Sequence, residues 1–151
     1  MDNALDLILG TYPSWSRFIV RLALGVVFFA HGAQKVFGWF GGHGLKATMQ
    51  TFQQYLKIPP AATALAAFIE CFGGLALIVG FLVRPAALGV IVVMLVAIAT
   101  VHWKHGFFLA TQPGQPNGWE YNFVLIAMAL AVLLGGAGAL SIDHALRPYG
   151  D

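Results

Sequence analysis

The chain is poor in charge and has almost no sulfur with which to cross-link. Of its 151 residues, 9% are Asp, Glu, Lys or Arg, whereas an average soluble domain carries about 25%. So few charges cannot cover a water-soluble fold of this length. The single cysteine, Cys71, excludes an intramolecular disulfide and a CxxC redox pair. There is no basic run and the formal charge is only +2, which argues against nucleic acid as a partner. Residues 1–10 hold Asp2 and Asp6 but no Lys or Arg. That is unlike the positive start of a secretory signal, so the first apolar segment is expected to remain as a membrane helix. What the chain does have is apolar surface: 59% of residues are hydrophobic.

A membrane-spanning helix needs about 20 mostly apolar residues. Four stretches meet that length, at residues 17–39, 61–83, 85–104 and 119–142. They predict an all-α fold, a four-helix transmembrane bundle running up-down-up-down as one domain over 1–151. Arg84-Pro85 joins the second and third spans tightly, and Pro85 suits a first helical turn. Between the first two spans, Leu45, Met49, Phe52 and Leu56 form one apolar stripe. Residues 44–57 therefore predict a short amphipathic helix, either lying in the membrane interface or capping the bundle with the same stripe. Aromatic residues gather at both borders, as rings at headgroup level do. Arg17, Arg21, Arg84 and Arg147 fall on the side of the termini; Lys35, Lys46, Lys57 and Lys104 fall on the other. Four against four leaves the orientation undecided by charge. Asp143 is expected to form a structural ion pair with Arg21 or Arg84, and Arg21 could also hold helices through backbone carbonyls.

Ionisable groups within a bilayer are costly and should face the bundle interior with partners. His31, Gln34 and Lys35 share one helical face. Glu70 sits near mid-span, and Gly73 and Gly74 would let a neighbour come close to it. His102 and His105 lie one turn apart, and Glu120 and Asn122 open the fourth span. At 1.5 Å per residue, His31 lies roughly 10 Å and Glu70 roughly 14 Å from the non-terminal surface. His31, Gln34, Lys35, Glu70, His102 and Glu120 could thus line one ligand cavity in that half. Ordinary roles are open to most of them. Asn117 and Glu120 fit a capping box. Lys35 can snorkel, and His102 and His105 can be interfacial. Gln34 can bond a neighbouring helix. Glu70 is the hardest to explain so simply: it must be protonated, paired with His31 or Lys35, or part of a site. Cys71 reads as inert packing. No helical HxxxH or HExxH pattern suggests a metal, and haem would need a second deep histidine.

These residues carry a resemblance. Arg21-Leu22-Ala23-Leu24-Gly25 with His31-Gly32-Ala33-Gln34-Lys35-Val36-Phe37-Gly38 resembles the first-helix signature of the DoxX family. Glu70-Cys71-Phe72-Gly73-Gly74, Gly80 and Arg84-Pro85-Ala86 are similar to its second block. His102, Gly106-Phe107-Phe108 and Glu120-Tyr121-Asn122 fit the rest, so the likeness runs from Arg17 to Asp143. It implies a small four-helix protein of the bacterial cytoplasmic membrane, with cytoplasmic termini by family habit. It also implies a link to redox systems: members resemble a subunit of thiosulfate:quinone oxidoreductase and partners of thiol and superoxide defence. More distant relatives look like cargo receptors and assembly chaperones.

Two functions follow as expectations. In the first, the chain is a redox-linked subunit that binds a quinone-like or other small apolar ligand between the first two spans. It shows no electron carrier of its own, so a protein partner would supply electrons, and it would not be catalytic alone. In the second, it is a non-catalytic assembly or accessory subunit that binds another membrane protein or its own copies. A transporter fits less well, since neither an inverted repeat nor a broken helix is evident. An open apolar space between His31 and Glu70 favours the first reading, and a packed hydrogen bond there favours the second.

Overall fold

The computed structural model describes residues 2–146; Arg147 lies outside them. Its regular structure is helical, with no β-strand among the described residues. In chain order the elements are α1 (Asp2–Leu9), α2 (Trp15–Val36) and α3 (Gly44–Thr51), which continues into a π turn at Phe52–Leu56. There follow α4 (Pro60–Val79), α5 (Val83–His105), α6 (Glu120–Gly135) and α7 (Ile142–Leu146). α2, α4 and α5 have 22, 20 and 23 residues and are long and apolar enough to cross a membrane. α6 is also apolar but has 16 residues, about 24 Å of helix.

Local chemistry explains most boundaries, including those that differ from expectation. Pro60 starts α4 and Pro85 lies in the first turn of α5, where a missing N–H costs nothing. α4 ends at Val79 rather than 83. α6 ends at Gly135 rather than 142, because Gly136 takes φ +78, which favours glycine. The helices are also not uninterrupted. α4 carries a π turn at Ile69–Gly73, around Glu70, and α5 carries one at Ile98–His102. Such turns widen the helix locally and free backbone groups from the regular ladder.

α2 and α4 approach closely through small residues. Gly25 faces Gly74 and Ile78, and Gly32 faces Glu70 and Cys71, so the two helices run in opposite senses. Water gives no hydrophobic push between helices in lipid, so such close backbone contact is a main source of association. A Cβ on Gly32 would fall inside the Cys71 backbone. Gly32→Ala should therefore force α2 and α4 apart and cost about 2–3 kcal/mol, read as a lowered midpoint in detergent unfolding. Leu24 and Phe28 of α2, Leu77 of α4, Val90 of α5, and Leu125 and Ala129 of α6 share one core. Val26, Leu88, Leu95 and Leu134 are exposed.

The terminal end is tied by arginines through backbone carbonyls, the alternative open to Arg21, and not through an ion pair with Asp143. Arg21 is fully buried. Its Nε donates to Ala137 O (2.9 Å), its Nη1 to Leu77 O and Ile78 O (2.5 and 2.8 Å), and its Nη2 to Ala139 O and Leu140 O (3.2 and 3.0 Å). Arg17 donates to Gly135 O at 2.8 Å and Arg84 to Leu133 O at 3.0 Å. These carbonyls lie at or just beyond the C-terminal ends of α4 and α6, where backbone acceptors lack helical partners and the dipole is negative. Asp143 serves the opposite pole. Its Oδ1 accepts from the N–H of Leu82 (2.8 Å) and its Oδ2 from that of Val83 (3.0 Å), capping α5. No direct arginine–Asp143 bridge forms among the described residues. The guanidinium of Arg21 is taken up by carbonyls and the carboxylate by amides. Burial pushes the Asp143 carboxyl above its usual range, while those amides and the charges of Arg21 and Arg84 pull it back down. Asp143→Ala should remove the cap and cost about 1–2 kcal/mol, measured in the same unfolding assay.

Candidate functional site

Away from the termini, α4 and α5 separate and leave a cavity of about 860 Å³. Val27, Phe28, His31 and Lys35 of α2 form one wall. Ala62, Ala66, Ile69 and Glu70 of α4 form a second, Val92, Val96, Thr100 and His102 of α5 a third, and Asn122 and Leu125 of α6 the floor. Phe52 and Leu56 reach it from the end of α3, so the amphipathic stripe is turned onto the bundle. Leu109, Ala110, Asn117 and Gly118, from the loop between α5 and α6, line it beside them.

Glu70 is paired. The Lys35 Nζ donates to both of its carboxylate oxygens, at 2.6 Å and 2.5 Å. The Glu70 side chain is 4% exposed and that of Lys35 27%. The Lys35 ammonium also lies 5.9 Å from the Phe52 ring centroid, close enough for a cation–π attraction that joins α3 to the site. The pair follows from the sequence spacing: Lys35 lies one turn beyond Gly32, which itself rests on the backbone of Glu70 and Cys71. The π turn at Ile69–Gly73 accompanies Glu70 on the cavity wall. An ammonium has three hydrogens and the carboxylate takes two, so one is left for a ligand. His31 lines the cavity, is exposed, and has no hydrogen-bond partner among the described residues.

The remaining candidates divide. His102 lines the cavity, and its Nδ1 is 2.9 Å from Asn117 O. Gln34 does not line it; its Nε2 donates to Phe40 O at 3.0 Å, fastening the end of α2. Nor does Glu120 line it, and the expected Asn117–Glu120 capping box does not form. Instead Glu120 Oε2 accepts from Leu109 N (3.0 Å) and Asn117 Oδ1 from Ala110 N (2.9 Å). The reason is the loop's own pairing. Gly118 N donates to Phe108 O, Trp119 N to Gly106 O and Glu120 N to Phe107 O, so the side chains close the loop rather than the helix. Two contributors were not singled out in the sequence as site residues. Asn122 is buried on the floor, its amide 3.4 Å from Met94 Sδ; a buried amide within an apolar helix was the available signal. Phe52 shows in the sequence only as part of the apolar stripe of residues 44–57. No cluster of three His, Cys, Asp or Glu able to hold a metal occurs among the described residues.

Comparison with known proteins bears on this arrangement. The DoxX family model matches residues 16–103, which include Arg21, His31, Lys35, Glu70 and His102. The chain belongs to the DoxX family. With its long apolar helices, this DoxX protein is a membrane protein. It is 25% identical over 125 residues to the protein of Bacillus subtilis (strain 168) named "Putative oxidoreductase CatD", a match covering 83% of this chain and 82% of that one. No solved structure matches the chain. The matched region ends before the loop and α6, so it holds Arg17, Arg21 and Arg84 without their acceptors on and after α6, the Lys35–Glu70 pair and the three π turns.

Proposed function

We propose that this DoxX-family chain is a redox-linked membrane subunit whose cavity binds a quinone-like amphiphile beside the Lys35–Glu70 pair. α2, α4, α5 and α6 all cross the bilayer, alternating up and down. The protein sits in the bacterial cytoplasmic membrane, with its termini toward the cytoplasm. The observation that carries the reading is the cavity itself: mostly apolar walls with a few polar side chains, among them His31, Lys35, Glu70, His102 and Asn122. That distribution suits a ligand with a small polar head and a hydrocarbon body, as ligand sites with few, well-placed polar groups do. The name of the Bacillus relative points to the same class of chemistry.

A bound quinone supplies the two-electron, two-proton chemistry, and a partner protein supplies the electrons. The chain's own groups bind and manage protons. Lys35 offers its third hydrogen to an acceptor oxygen on the head, and Glu70 fixes the position of Lys35. His31 is unpartnered and can give or take a proton at that head. His102 and the carbonyl of Asn117 lie on the cavity wall nearest the loop, where a proton can pass toward water. Decyl-tailed benzoquinone titrated into nanodiscs should bind the wild type saturably and Lys35→Met at least tenfold more weakly. Equal, non-saturable partitioning into both would refute this function.

A further inference from the structure

The cavity has an end lined by the loop and, on one side, a gap between α4 and α5. On its loop side, Leu109, Ala110, Asn117 and Gly118 lie over it, and their segment is tied down by Glu120, Asn117 and His102 through the hydrogen bonds described above. Phe52 and Leu56 complete that roof. The side is different. Pro60–Phe68, the first part of α4, packs on α2 and α3, whereas the last turns of α5, Ile98–His102, make no substantial contact with either helix or with Pro60–Phe68. Leu65, Val92 and Val96 line the cavity and are nevertheless 61%, 51% and 48% exposed. Leu65 lies about 8 Å along α4 from its start and Val96 about 14 Å along α5 from its end. With α4 and α5 crossing the bilayer as proposed, both would lie at the level of hydrocarbon.

We infer that the cavity is loaded sideways from the bilayer through the gap between α4 and α5, and that its ligand is a tailed amphiphile. The head rests by Lys35 and Glu70, and the chain runs out past Leu65 and Val96. This rests on the proposed ligand function and adds the route and the tail. A water-borne molecule would enter past Leu109 and Asn117, which are exposed but tied by hydrogen bonds to Glu120 and Ala110. A lipid-borne one needs only the opening that already exists. The π turn at Ile98–His102 lies just beyond Val96 at the gap, and such turns are common sites of helix distortion.

A decyl-tailed benzoquinone with a diazirine at the end of its tail tests this in vesicles containing the full chain. After illumination, peptide mapping should find saturable labelling at Leu65, Ile69, Val92 or Val96, competed by unlabelled decyl-benzoquinone. Leu65→Trp and Val96→Trp change exposed positions and should leave the fold intact while slowing uptake at least tenfold. Saturable labelling confined to Leu109, Ala110 or Asn117, with uptake unchanged in both tryptophan variants, would overturn the lateral route and leave ligand binding standing. Loss of labelling at the gap because a second copy or partner covers it, seen as cross-linking between chains at Leu65, would also overturn it. No saturable labelling anywhere would overturn both the route and the underlying function.

Discussion

Arg21→Ala is expected to be the most damaging single substitution outside the cavity. The guanidinium lies between the end of α4 and the chain that follows α6, and it donates to five carbonyls. Each carbonyl left without a donor in a buried site costs about 1–3 kcal/mol. The bonds share one side chain, so their costs do not simply add, but a loss of about 4 kcal/mol or more is expected. The variant should fail to purify as a monodisperse protein, or should unfold at far lower denaturant than wild type. Arg21→Lys separates charge from geometry. A lysine keeps the positive charge but offers three donors from one point instead of a planar fork, so it should recover less than half of the lost stability. Full rescue by lysine would mean that charge alone holds this end together.

Glu70→Gln should have the second large effect, and it divides into a structural and a functional part. Losing the carboxylate leaves the Lys35 ammonium in a largely apolar cavity without its counter-charge. Removing one member of a buried pair costs about 3–5 kcal/mol. Lys35 is 27% exposed, and water can reach part of it, so about 2 kcal/mol is a better expectation here. Replacing both residues, as Glu70→Gln with Lys35→Met, removes the orphaned charge and should restore at least half of the lost stability. It should not restore ligand binding, because the head group then has neither the third hydrogen of Lys35 nor the charge that positions it. Unfolding midpoints and decyl-benzoquinone binding, measured on both variants, separate the two parts. If the double variant bound ligand as wild type does, the pair would be a structural bridge only.

Much of this was legible because membrane helices obey strong constraints. Apolar length marked the helices, and the cost of burying charge singled out Glu70 and named Lys35 as one of its partners. The spacing of His31 and Lys35 put both on the wall where they are found. Three features escaped for physical reasons. The π turns at Ile69–Gly73 and Ile98–His102 leave no mark in hydrophobic periodicity, since both segments remain apolar around the extra residue. The Asn117–Glu120 spacing fits a capping box, but the loop from Gly106 to Gly118 pairs with itself and takes those side chains for its own amides. The arginines suggest ion pairs because Asp143 falls at the same terminal end, although backbone carbonyls are the other partners open to Arg21 and are the ones it takes. Helix C-termini at Val79 and Gly135 offered more acceptors than one carboxylate could. The glycines after Leu134 were the readable signal for the second of these ends.

The central claim is that the cavity beside Lys35 and Glu70 holds a lipid-borne, quinone-like ligand in the cell. The most direct measurement is to purify the full chain with its native lipids, extract what remains bound, and identify it by mass spectrometry. The Glu70→Gln/Lys35→Met double variant, expected to be folded, is treated in parallel. The account predicts a quinone-type amphiphile at near-stoichiometric amount in wild type and its loss from the double variant. A wild-type protein carrying none, or equal amounts in the two proteins, would contradict it.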